Sequence, residues 1–154
     1  RDLVRSRGLG DVYKRQENDK ILLVEDYEIN MEIARFVLEN EGAQVQEAWN
    51  GKEAVDLFAA SEPGGYDVIL MDLMMPVMGG LEAAQCIRKL EREDAKTVPI
   101  IAMTANAFAD DEERSLAAGM DAHISKPLDA EKLIQVISDI CKKRKEHAKG
   151  DADI

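Results

Sequence analysis

Apolar residues along this chain follow two patterns in turn. Short unbroken runs, ILLVE at 21–25, VILMD at 68–72 and PIIAMT at 99–104, have the length and composition of strands buried on both faces. Between and after them apolar residues recur every three or four positions: Ile29, Ile33, Phe36 and Val37; Ala54, Leu57 and Phe58; Leu81, Ala84, Ile87 and Leu90; Leu133, Val136, Ile137 and Ile140. Those spacings predict amphipathic helices. AQVQEA at 43–48 alternates apolar with polar, as a half-exposed edge strand does, and DAHIS at 121–125 predicts a short fifth strand. NEG at 40–42 and SEPGG at 61–65 supply stops. The segment 106–119 reads as a helix whose large apolar residues are Phe108 and Leu116, so loose docking is expected there.

Strands alternating with helices through short connections predict a parallel sheet, because each right-handed crossover returns the chain in the same direction. The predicted class is α/β, a doubly wound five-stranded parallel sheet of flavodoxin-like (βα)5 form. The continuous apolar strands belong in its middle and the alternating second strand at an edge, which favours the order 2-1-3-4-5.

Composition narrows the possibilities. A chain of 154 residues, 45% hydrophobic and 33% charged, suits one compact domain. Residues 1–16 carry a net +3 from five basic and two acidic side chains, which leaves −14 on residues 17–154 against −11 for the whole chain. So acidic a body argues against nucleic-acid binding, which depends on Lys and Arg meeting phosphates. No apolar run is long enough to span a membrane and RDLVRSRGLGDVYKRQ lacks a signal-peptide core, so a cytoplasmic location is expected. Cys86 and Cys141 stand apart without metal-ligand spacing and read as reduced thiols on helices. Residues 1–18 are expected to be a non-native or disordered leader, since DVYKRQ looks like translated adapter sequence. The domain then spans 19–142, and 143–154, with most of the basic run KKRKEHAK, forms a C-terminal tail.

Chemistry is expected outside the carboxyl ends of the first and third strands, where the winding direction reverses. The strand ends there deliver Glu25 and Asp26, Asp72, Thr104 and Lys126. Singly, each has a structural explanation, as a helix cap or an exposed lysine before a turn. An aspartate closing a central apolar strand still needs a partner, and at about 5 Å each like-charge pair would cost roughly 3 kcal/mol at an effective dielectric near 20. A divalent cation removes that cost, and an all-oxygen cluster suits Mg2+. Together with a lysine and a hydroxyl, a metal-bound carboxylate describes phosphoryl transfer to aspartate.

These residues sit in ILLVED, VILMDLMMPVMGG, IIAMTA and HISKPL, and as a set the four stretches resemble the receiver domain of two-component response regulators over roughly residues 19–142. The run AMTANAFADDEERSLAAGMDAHISKPLDAEKL is most similar to the receivers of hybrid histidine kinases. The resemblance implies that Asp72 accepts a phosphoryl group from a phosphohistidine on a histidine kinase or histidine phosphotransfer domain. It further implies that Asp26 and Asp72 ligate Mg2+, that Glu25 holds it through water, and that Met74 contributes its backbone carbonyl. Lys126 would pair with the phosphoryl group, Thr104 would swing to hydrogen-bond it, and the bond before Pro127 would be cis. Receiver dimers would form through the predicted fourth helix, fifth strand and fifth helix.

Three positions depart from the family pattern. His123 stands where Tyr or Phe is typical, with half-buried packing and a switching role both open. Gly79 replaces a common aspartate and is expected to loosen the loop after Met78, and Tyr27 stands where Asn or Asp is frequent. Rival readings each meet an obstacle. A haloacid-dehalogenase-like phosphohydrolase wants a second acid where Met74 stands, and a flavodoxin-like cofactor binder wants a phosphate loop where EDYEIN would repel phosphate. A phosphorylation-independent pseudo-receiver would not need the full acidic and basic set.

Overall fold

The computed structural model describes residues 20–104, 109–126 and 129–152, together with the side chains of these except at 109–112, 141 and 143–152. The leader 1–18, Phe108 and Pro127 lie outside the described residues. The elements are β1 (Lys20–Val24), α1 (Glu28–Asn40), β2 (Gln44–Ala48), α2 (Gly51–Ala60), β3 (Val68–Asp72), α3 (Gly80–Arg88), α4 (Glu93–Thr97), β4 (Ile100–Thr104), α5 (Ala109–Ala117), β5 (Ala122–Ser125) and α6 (Ala130–Ala152). The sheet has the predicted order β2-β1-β3-β4-β5 and every pairing is parallel. Every residue of β3 and β4 is buried, while β2 is only partly covered, as its alternating sequence requires at an edge.

The two faces of the sheet carry separate cores. Leu22, Val24, Ile69, Met71, Ile100 and Ala102 face α2, α3 and α4. Their alternating neighbours Ile21, Leu23, Val68, Leu70, Ile101 and Met103 face α1 and α6. The stripe Leu133, Val136, Ile137 and Ile140 lies on the inner side of α6, with Leu133 and Ile137 fully buried.

Helix α1 corrects the expected inner face. Ile29, Ile33 and Phe36 are 54%, 48% and 70% exposed, and the helix packs instead through Met31, Ala34 and Leu38. Both stripes have helical spacing, so periodicity alone does not choose between them. Docking favours the stripe whose middle residue, Ala34, lets the helix approach the sheet closely. Phe36→Ser is therefore expected to change stability by less than about 0.5 kcal/mol. Met31→Ala should cost about 2–4 kcal/mol. Paired urea melts check both, and the reverse ranking would restore the outer stripe as core.

Helix α4 is an element the periodicity did not predict. Arg92, its N-cap, stacks its guanidinium 4.6 Å from the centre of the Phe58 ring and donates to the carbonyls of Phe58 and Ser61 at 2.9 Å, closing the end of α2. Asp94 receives Arg92 at 2.6 and 2.7 Å and the Gly64 amide at 3.0 Å, and the guanidinium holds its carboxyl down at about 2. Arg88 ends α3 in a similar way, donating to the Gly119 carbonyl at 2.9 and 2.7 Å and to Asp121 at 3.0 Å. That contact fixes the C-terminal end of α5, where Ser115, Ala118 and Met120 are buried. Leu116, one of the two large apolar residues read in this segment, is 64% exposed.

Candidate functional site

The carboxyl ends of β1 and β3 lie side by side, with Val24 paired to Met71, so the residues that follow them meet. Asp72 is 4% exposed and Glu25 1%, whereas Asp26 faces solvent. One carboxylate oxygen from each of Glu25, Asp26 and Asp72 falls within 4.8 Å of the others. From beyond β5, Lys126 places Nζ 2.8 Å from Glu25 Oε1 and 3.3 Å from Asp72 Oδ2, and its amide donates to the Thr104 carbonyl at 2.7 Å. Thr104, 6% exposed, closes β4 beside Asp72 in the sheet. All five strand-end residues expected at this edge are thus brought together.

The electrostatics follow from burial. Desolvation, then the adjoining Glu25 carboxylate, push the Asp72 carboxyl up to about 7 against the opposing pull of Lys126. Burial alone would lower Lys126, but its contacts with Glu25 and Asp72 outweigh it and raise the ammonium above the ordinary lysine value. Three acids against one ammonium leave an excess of negative charge, and the donors are all oxygen with one on the open side. That donor set fits a hard divalent cation that keeps part of its water shell.

The loop after Asp72 has features that the residue pattern did not reveal. Met74 is 79% exposed, and its amide reaches Asp72 Oδ1 at 3.4 Å. Val77 has φ +68, and the Met78 amide bonds the Pro76 carbonyl at 2.7 Å across it. A β-branched residue in this left-handed turn carries strain of about 1–3 kcal/mol. Gly79, expected to loosen this loop, has an ordinary φ of −76 and serves as the N-cap of α3, and a Cβ there would fall 3.2 Å from the Leu73 carbonyl oxygen. The constrained position is Gly80, where a Cβ would overlap the Asp72 carbonyl oxygen. Only the PVMGG turn signal hinted at this crowding.

His123 is half-buried on β5 opposite Ala102. It lines, with Lys126, Asp129, Lys132 and Gln135, a surface cavity of about 450 Å³. Tyr27 is the N-cap of α1 without a side-chain bond, and it lies 55% exposed next to Asp26. Among the described residues no helix is long and apolar enough to cross a membrane.

Comparison with known proteins adds independent findings. Residues 21–138 match the family model of the response regulator receiver domain. The chain is 38% identical over 126 residues to hybrid signal transduction histidine kinase I of Dictyostelium discoideum, covering 80% of this chain and 7% of that protein. It is 42% identical over 118 residues to the aerobic respiration control sensor protein ArcB of Escherichia coli K12, covering 76% of this chain and 14% of that one. The chain therefore spans a small fraction of these relatives. Among solved structures, the receiver domain of sensor histidine kinase PA1611 from Pseudomonas aeruginosa PAO1, with a magnesium ion coordinated in its active-site cleft, superposes with a TM-score of 0.73. It is 35% identical, and the match covers 81% of this chain and 98% of that one.

Proposed function

The chain belongs to the response regulator receiver family, and from that premise we propose that Asp72 takes a phosphoryl group from a phosphohistidine of a histidine kinase or histidine phosphotransfer domain. The carrying observation is Asp72 itself: a strand-end carboxylate 4% exposed, clustered with two further acids and 3.3 Å from an ammonium. In the transfer, an Asp72 carboxylate oxygen forms the new bond to phosphorus while the bond from phosphorus to the imidazole nitrogen breaks, and its electron pair stays on the ring. Glu25, Asp26, Asp72 and the Met74 carbonyl would hold Mg2+, which when bound offsets negative charge on the phosphoryl oxygens.

The chain's own residues do the rest. Asp72 must be ionised to attack, so the elevated carboxyl has to lose its proton first. Lys126, already within reach of both Glu25 and Asp72, shifts from the first toward a phosphoryl oxygen, and the Thr104 hydroxyl donates to another. Movement of Thr104 and His123 then biases α5, which is tied at its C-terminal end through Gly119, and alters partner affinity. The exposed apolar face of Tyr27, Ile29, Ile33 and Phe36 adjoins the acids and supports docking of the phosphodonor there. Incubation with a small phosphodonor and Mg2+ tests the reading by intact mass; no gain of one phosphoryl group would end it.

The lifetime of the acyl phosphate rests on Met74. Its large, exposed, apolar side chain two residues after the acceptor hinders an approaching water. Met74→Asn is expected to speed autodephosphorylation about fivefold, equivalent to about 1 kcal/mol in the barrier. Equal decay of the two phosphorylated proteins would remove Met74 from that role.

A further inference from the structure

We propose that Gly51, the first residue of α2, a helix that supplies none of the acids, is a positioning residue for the phosphoacceptor loop 73–79. The inference deepens the reading above, since it rests on Met74 presenting its carbonyl to a metal.

Helix α2 begins as a rigid block. Asn50 accepts the Glu53 amide at 2.9 Å, and Glu53 in return accepts the Trp49 amide at 2.9 Å. Gly51 opens the helix with an amide that has no partner inside it. That amide reaches across to the Met78 carbonyl at 2.9 Å. The approach is close enough that a Cβ on residue 51 would fall 2.5 Å from the same oxygen and 2.9 Å from Ala83 Cβ.

The bond grips the loop at its strained bend. The neck is closed by Leu73 on the Met103 carbonyl and by Gly80 on the Leu73 carbonyl, each at 3.1 Å. The far side carries the Val77 turn at φ +68, a conformation that persists only where surrounding contacts enforce it. Gly51 supplies such a contact at Met78, the residue that closes that turn. Holding Met78 preserves the loop's shape and, through it, the backbone at Met74 between the neck and the bend. Linkage makes the effect reciprocal: if the Gly51 bond favours metal binding, metal binding must tighten the Gly51 bond.

Gly51→Ala tests this on the full chain, with Mg2+ affinity read by isothermal titration calorimetry. Its dissociation constant is expected to rise about tenfold, as when residues supporting metal ligands are altered. Ile137→Val, in the core on the opposite face, should lower the melting temperature without moving that constant. A Gly51→Ala protein that melts earlier yet binds Mg2+ within twofold of wild type would overturn the proposal. Should the variant not fold, hydrogen exchange of the wild type decides: Mg2+ is expected to slow the Gly51 amide more than the Ala43 amide, which bonds Leu38 away from the acids. Equal slowing of the two overturns it as well. A wild-type chain without Mg2+ affinity would instead sink the functional reading, and the proposal with it.

Discussion

Asp72→Asn is expected to abolish the phosphoryl adduct while raising the melting temperature of the metal-free protein at pH 8. The first effect follows from removing the nucleophile: the amide cannot form the acyl phosphate, and Lys126, Glu25 and Thr104 have nothing to act upon. The second follows from linkage. The folded site holds the Asp72 carboxyl at about 7, against about 3.9 in an unfolded chain. Folding therefore favours its protonated form. The favourable contribution is fully present below about pH 4, diminishes as pH rises toward the folded value of about 7, and is gone above it.

The wild type thus carries at pH 8 a buried charge, only partly offset by Lys126, that asparagine lacks. The whole gap would correspond to about 4 kcal/mol. Water on the open side, where Asp26 is exposed, reduces this to about 1–2 kcal/mol. The gain should shrink toward pH 4, and added Mg2+ should reverse the ranking at pH 8 by stabilising wild type more than the variant. Thermal melts at the two pH values, with and without Mg2+, check the signs. An Asp72→Asn protein less stable than wild type at pH 8 without metal would show that Lys126 outweighs desolvation after all.

Gly80→Ala should produce a large loss of stability. The added Cβ would overlap the Asp72 carbonyl oxygen and stand 2.9 Å from Leu73 Cα and 3.0 Å from the Asp72 carbonyl carbon. Every one of these atoms is backbone, so no rotamer change relieves the contact. Either α3 lifts from the sheet, opening the core around Ala83, Ala84 and Ile87, or the end of β3 bends and takes Asp72 with it. A cost of about 3 kcal/mol is expected, with a fall in melting temperature of roughly 10 °C. Gly79→Ser, one residue earlier at an ordinary φ, should cost less than about 1 kcal/mol. Comparable stability of the Gly80→Ala and wild-type proteins would mean that this helix start is not held where the structure places it.

Both predictions concern residues that stand together in VILMDLMMPVMGG, yet they differ in how readable they are from the chain. Asp72 announces itself, because a carboxylate closing an apolar strand is costly wherever that strand is central. Gly80 does not, because two glycines in a turn look alike until the atoms across from them are known. The same holds for Lys126: its position after the fifth strand points to the acids, but nothing local says that it rests at 2.8 Å on Glu25 and at 3.3 Å on Asp72.

Period and polarity along the chain determined the strands, their parallel order and the edge at which the chemistry gathers, because these depend on which residues repeat at spacings of two or three to four and on where each run stops. Tertiary structure alone decided which apolar stripe of α1 turns inward, since Ile29, Ile33 and Phe36 compete on equal spacing with Met31, Ala34 and Leu38. It alone decided the short α4 held by Arg92, the strained turn at Val77, and the approaches that only Gly51 and Gly80 allow. The inward stripe, the Arg92 contacts and the Gly51 approach are settled by residues distant in sequence that meet in the packed structure, and no local pattern of side chains encodes such a meeting.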